Sequence, residues 1–220
     1  MKQIVVPTLT PPGSNLPRFL GVAALFSGAA LVTHIVSGFS LVLALAVTTT
    51  ILVVAVGVVW VRASPNRRVS VLRRAKQGLV CGILATGAYD LSKFTLSQWD
   101  SSPYNPFEAL HAFGLLLVGH SASTRLIYAA GSAFHLLNGC SFGVAYCFLF
   151  GHRGIVAGIA WGFFLELFQL TLFPGWLDIR FYREFVQISV MSHVVYGAVL
   201  GLSCQRGLQE PKTGRSRNAR

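Results

Sequence analysis

From Leu41 to Val61 the chain carries no charged residue, and about 20 apolar residues in a row are what an α-helix needs to cross roughly 30 Å of hydrocarbon. Further apolar segments of comparable length occupy residues 19–37, 77–98, 126–150, 154–173 and 185–204. The sequence therefore predicts an all-α fold, a polytopic transmembrane bundle of six helices. Composition agrees, since 53% of the residues are hydrophobic and only 11% charged, where a soluble domain carries about 25% charged residues. Residues 1–18, with Pro7, Pro11, Pro12 and Pro17, read as a flexible cytoplasmic tail. Residues 19–204 read as a single transmembrane domain and 205–220 as a basic cytoplasmic tail.

The net charge of +11 lies between the apolar segments rather than on a soluble surface. Arg62, Arg67, Arg68, Arg73, Arg74 and Lys76 form one cluster, and Arg206, Lys212, Arg215, Arg217 and Arg220 another. The positive-inside rule puts both in the cytoplasm, and with them both termini. Asp100, Glu108, Asp178 and Glu184 fall on the other side, beside a belt of Trp99, Tyr104, Trp176, Phe181 and Tyr182. The basic clusters suit anionic lipid headgroups, and no nucleic-acid partner is expected. Cys81, Cys147, Cys140 and Cys204 all sit in apolar segments without CxxC spacing, so they read as small buried hydrophobes, with no disulfide expected.

Residues 105–119 are too short to span. Asn105, Pro106 and Glu108 give a good helix start, and the segment reads as an interfacial or re-entrant helix on the outer side.

The last four spans carry an internal duplication, residues 77–150 against 153–204, preceded by an N-terminal helix pair, 19–61. Gln77 to Leu96 overlays Arg153 to Leu172, so that Gly78 meets Gly154, Gly82 meets Gly158 and Asp90 meets Glu166. In the following helices His135, Gly139 and Gly143 meet His193, Gly197 and Gly201. Each unit holds two spans, so the copies enter the membrane in the same direction as a parallel repeat. Spacing by four keeps Gly78 and Gly82, and likewise Gly154, Gly158 and Gly162, on one helix face for close packing. The carboxylates and histidines then fall toward the opposite, outer half. By helical rise, Asp90 lies about 21 Å from the cytoplasmic edge and His193 about 12 Å from the outer one.

Ionisable groups inside a bilayer usually face a cavity or a partner and mark a functional path. Asp90, Glu166, His135 and His193 are thus expected to bind a cation or solute or to exchange protons, histidine being the side chain that changes charge near neutral pH. A purely structural network, Asp90 with Lys93 and Glu166 with a histidine, is the competing reading. His34, Lys93 and the Glu108–His111 pair are possible accessory groups. No nucleotide loop, HExxH site or serine elbow is present, so a non-enzymatic role is favoured and no catalytic residue or cofactor is assigned.

The strings HLLNGCSFGVAY from His135, Gly154 to Pro174, and SHVVYGAVLG from Ser192 resemble the YagU-like group of small, uncharacterised bacterial inner-membrane proteins. The resemblance covers roughly Gln77 to Cys204 and implies a bacterial inner-membrane setting without assigned chemistry. This chain departs from that group in its two N-terminal helices, which are suited to clamping the repeat or to contacts in a homo-oligomer. The expected function is to bind or conduct a small solute, an ion or protons through an outer-facing polar pocket. One alternative is a haem- or metal-dependent redox protein in which His135 and His193 are ligands. Another is an assembly or scaffold subunit whose glycine faces pack against a second membrane protein.

Overall fold

A computed structural model describes residues 15–100, 103–171 and 181–208. The proline-rich tail up to residue 14, Trp176, Asp178 and the basic tail beyond residue 208 lie outside them. Among the described residues the regular structure is entirely helical: α1 (Leu16–Ala23), α2 (Phe26–Ser37), α3 (Leu41–Arg62), α4 (Pro65–Trp99), α5 (Glu108–Val118), α6 (Thr124–Leu149), α7 (Gly154–Thr171) and α8 (Tyr182–Leu208).

Local chemistry sets the helix ends. Ser40 caps α3 by accepting from the Leu43 N–H at 3.2 Å, and Ser123 caps α6 by accepting from the Leu126 N–H at 3.4 Å. Pro65 opens α4, where its missing N–H would have had no helical partner. Gly38, at φ +73°, ends α2 in the left-handed conformation that glycine adopts without strain.

Three helices, α3, α6 and α8, are long and apolar enough to cross a membrane, as expected of a membrane protein. The first predicted span instead bends by 50° between α1 and α2. There the Leu25 N–H reaches the Val22 carbonyl at 3.0 Å, an i→i−3 bond that tightens the last turn of α1. Together the pair makes a fourth candidate crossing. The predicted third span is longer than expected, because the basic segment from Pro65 continues into it as one helix of 35 residues. Asp90 and Lys93 interrupt its apolar character. The α5 helix begins at Glu108 rather than nearer Asn105. The Asn105 side chain accepts from the Phe107 N–H at 3.0 Å and so shapes the preceding turn instead of capping the helix.

Glycine seams join the helices of the core. A Cβ on Gly78 would stand 2.5 Å from the Val144 Cα, and one on Gly82 2.5 Å from the Gly139 carbonyl. A Cβ on Gly143 would meet the Gly82 Cα at 2.5 Å, so α4 and α6 run antiparallel with backbone against backbone. The α7–α8 pair is built in the same way. There, hypothetical Cβ atoms on Gly158 and Gly201 would lie 2.1 Å from the Gly197 carbonyl and 2.4 Å from the Gly154 carbonyl. A third seam holds α5 to α6 through Gly114 against Ile127 and Gly131 against Leu110. Without side chains between them, helices approach closely enough for extended dispersion contact, the main attraction available in lipid.

Cys147 on α6 and Cys204 on α8 form a disulfide, contrary to the sequence expectation, with Cα atoms 6.1 Å apart. A bridge requires proximity in space, and helix packing supplies it across a sequence separation of 57 residues. Cys81 and Cys140 remain thiols, and Cys81 is fully buried.

Adding one methyl group at a seam should be costly. Gly82→Ala and Gly158→Ala are expected to destabilise the fold by about 1–3 kcal/mol, the usual penalty of overpacking. Gly57→Ala, where a Cβ meets nothing within 4 Å, should be neutral or slightly stabilising. Unfolding by SDS in mixed micelles measures the difference.

Candidate functional site

Above the two seams, α4, α6, α7 and α8 bring ionisable side chains together. Asp90 and His135 are each one further step along the four-residue spacing that places Thr86 on α4 and Gly139 on α6 in contact. The same antiparallel register makes them neighbours, and His135 Nε2 lies 2.9 Å from Asp90 Oδ1. On the other side, Gly162 faces the His193 carbonyl, and His193 Nδ1 lies 2.7 Å from Glu166 Oε2. Each carboxylate therefore pairs with the histidine of its own helix neighbour.

The two pairs differ in burial. The His193 and Glu166 side chains are 12% and 3% exposed, against 22% and 36% for His135 and Asp90. Ser189, one turn before His193, donates to Glu166 Oε2 at 3.0 Å. Glu166 Oε1 is buried with no hydrogen-bond partner among the described residues. An unmatched carboxyl oxygen in a dry interior is expensive.

Tyr89 links the pairs. Its ring centroid lies 5.7 Å from that of His135 and 4.8 Å from that of His193, and its hydroxyl is 3.3 Å from Ser189 Oγ. Lys93 is almost fully buried, but its partner is not Asp90. The ammonium sits 5.6 Å from the Tyr89 ring centre and 5.0 Å from that of Phe185, at distances where a ring face attracts a cation.

Tyr89, Asp90, Lys93, His135 and His193 all line one cavity of about 510 Å³, together with Asn138. Most of its wall is apolar, with Leu25, Val32 and Phe142 among the contributors. Glu166 stands behind His193 rather than on the wall. With one ring nitrogen of each histidine held by a carboxylate, His135 Nδ1 and His193 Nε2 make no hydrogen bond to the described residues and are the nitrogens left for a ligand. A carboxylate behind an imidazole fixes its tautomer and raises its basicity, both for proton transfer and for metal ligation.

The accessory candidates separate. Lys93 belongs to the cavity. His34 does not line it, and its Nδ1 lies 2.6 Å from the Phe39 carbonyl, holding the turn between α2 and α3. Glu108 and His111 line a second, smaller pocket of about 240 Å³ with Tyr128 and Phe181, and the His111 and Tyr128 rings are 5.3 Å apart. Burial, then the charge of Glu108, pushes the nearby Tyr104 phenol upward, so it remains neutral. No three donor atoms of the Asp90, His135, Glu166 and His193 group gather within 4.8 Å of one another. Among the described residues such a gathering occurs only at Cys81, Cys147 and Cys204.

Sequence reasoning missed Tyr89, Ser189 and Asn138. A serine one turn from a histidine in an apolar helix was a usable signal for Ser189. Tyr89 gave none, because its role depends on how α4 is rotated against α8. The chain matches no protein-family profile, no curated protein and no solved structure.

The burial difference yields a stability prediction. Removing one partner of a buried pair leaves an uncompensated charge, so His193→Ala should cost about 3–5 kcal/mol in unfolding experiments. Adding Glu166→Gln to that variant should recover part of the loss. His135→Ala should cost less, because Asp90 is more exposed.

Proposed function

We propose that this chain is a six-span inner-membrane protein that binds a small, largely apolar molecule with a polar head, and exchanges a proton as it does so. The observation that carries the reading is the shared cavity, with mostly apolar walls and Asp90, Lys93, His135 and His193 opening onto it. A concave apolar pocket with a few convergent polar groups is the usual form of a small-molecule site.

Proton exchange follows from charge bookkeeping. With Lys93 as an ammonium and Asp90 and Glu166 as carboxylates, one proton on either histidine makes the group neutral. Neutrality is the least costly state in apolar surroundings. A second proton makes the site cationic and suited to an anionic head; loss of the first makes it anionic and suited to a cation. Protonation and ligand binding are thereby linked, as a transporter or a proton-sensitive binder requires.

The six-span, duplicated architecture is part of this reading. Although α4 and α7 are too polar or too short to qualify by hydropathy and length, each presents an exposed apolar face. Leu79, Val80, Ile83 and Leu84 lie outward on α4, and Val156, Phe163, Leu167 and Phe168 on α7, as suits helices against lipid. The matching glycine seams and carboxylate–histidine pairs support the repeat. The basic segments set both termini in the cytoplasm, and the YagU-like resemblance suggests the bacterial inner membrane. The seam glycines are occupied within the chain, which weighs against a scaffold that uses them to hold another protein.

A second reading has one specific support. Both histidines are backed by carboxylates, the outer-shell arrangement common at metal-ligating imidazoles, so haem or a metal held by His135 and His193 is the alternative. An absorption spectrum and metal analysis of the purified protein and of its His135→Gln and His193→Gln variants separate the two, and the first reading expects no haem band and no metal that is lost when either histidine is replaced.

The proposal is tested in proteoliposomes containing a lumenal pH dye. Wild-type protein should speed the decay of an imposed pH gradient, and His135→Gln and Asp90→Asn should each reduce that effect at least about a hundredfold, the lower end of what a positioned proton-transfer group contributes. Equal rates in wild type and both folded variants would reject proton exchange at this site.

A further inference from the structure

Away from the cavity, a second group of reactive side chains has no role in the reading above. Cys81 on α4, Cys147 on α6 and Cys204 on α8 have sulfur atoms that all lie within 4.8 Å of one another. Their exposures are 0%, 1% and 0%, and none lines the cavity. A buried cysteine ordinarily packs as a small hydrophobe, but packing alone does not require three sulfurs from three helices to converge on one point. A polar side chain also attends them. Gln77 Nε2 donates to Cys81 Sγ at 3.2 Å and to the Ser203 carbonyl at 3.3 Å, fixing the amide between α4 and α8 and aiming a donor at the sulfur.

We propose that Cys81, Cys147 and Cys204, when all three are reduced, form a trigonal thiolate site for a soft monovalent cation, copper(I). Thiolates select soft ions. Zinc in closed sites takes four ligands, whereas three sulfurs are what these helices bring together. Backing hydrogen bonds of the kind Gln77 makes orient first ligands and ease the negative charge on sulfur.

In the structure Cys147 and Cys204 are joined, so loading begins with reduction. Two molecules of a small thiol become one disulfide as the Cys147–Cys204 bond gives two thiols. Copper(I) then displaces the sulfur protons: three Cu–S bonds form, three S–H bonds break, and the protons pass to solvent without electron transfer to or from the metal. The disulfide and the metal site are alternative states of the same sulfurs, and the bound form belongs to a reducing compartment. The cluster lies near the α8 end that carries Arg206, the side assigned to the cytoplasm, where thiols are kept reduced.

The test uses the full chain in detergent, reduced and anaerobic, titrated with copper(I) as its acetonitrile complex against a coloured copper(I) chelator. One copper per chain is expected, with near-ultraviolet thiolate-to-copper absorption and three sulfur neighbours by X-ray absorption at the copper edge. Cys81→Ser should weaken binding at least about tenfold, the lower scale for disturbing a metal site, while Cys140→Ser, outside the cluster, should match wild type. Copper remaining on the chelator, Cys81→Ser binding as tightly as wild type, or displacement by equimolar zinc would overturn the proposal. If Cys81→Ser fails to fold, the wild-type sulfur count decides, and fewer than three sulfurs contradicts the site.

Discussion

Backbone-to-backbone contact at the glycine seams is the constraint on which the other features depend. Because Gly78, Gly82, Gly139 and Gly143 allow α4 and α6 to touch without intervening side chains, the register between the two helices is fixed to one alignment. A slip would drive a Cβ or a carbonyl into the opposing chain. That alignment carries Asp90 to His135, and the α7–α8 seam carries Glu166 to His193 in the same way. Polar chemistry at one end of the bundle is thus positioned by the lack of side chains at the other.

This division offsets the cost of burying charge. An isolated carboxylate in hydrocarbon would change its protonation or pull water inward. Here each is met by an imidazole held on a rigid neighbouring helix, so little side-chain freedom remains to be lost on pairing. The arrangement is not fully satisfied. Glu166 Oε1 lacks a partner among the described residues, and Lys93 rests against aromatic rings rather than a carboxylate. Residual imbalance of this sort is common where polar groups serve a ligand as well as a fold.

How much could be read from the sequence follows from which contacts depend on spacing alone. Glycine, carboxylate and histidine recur at intervals of four, which states which face they share, and the all-α class follows from the apolar runs. Features set by helix rotation or by distant chain segments were not legible. The Cys147–Cys204 bridge, the placing of Tyr89 against both histidines and the seating of Lys93 against Tyr89 and Phe185 all depend on angles between helices. The bend after α1 coincides with an i→i−3 bond at Leu25, and although Gly21 and Gly28 flank it, glycine in an apolar helix signals close packing as readily as a break. His34 is a possible accessory group from its place near the end of an apolar segment, yet position along a helix says nothing about which way its face points.

The two carboxylate–histidine pairs should act as one electrostatic unit around a single cavity. A double-mutant cycle on folding stability, with Asp90→Asn, Glu166→Gln and their combination, tests it most directly. An interaction energy above about 0.5 kcal/mol, beyond the scatter of independent sites, is the predicted result, and additivity within that limit would contradict it.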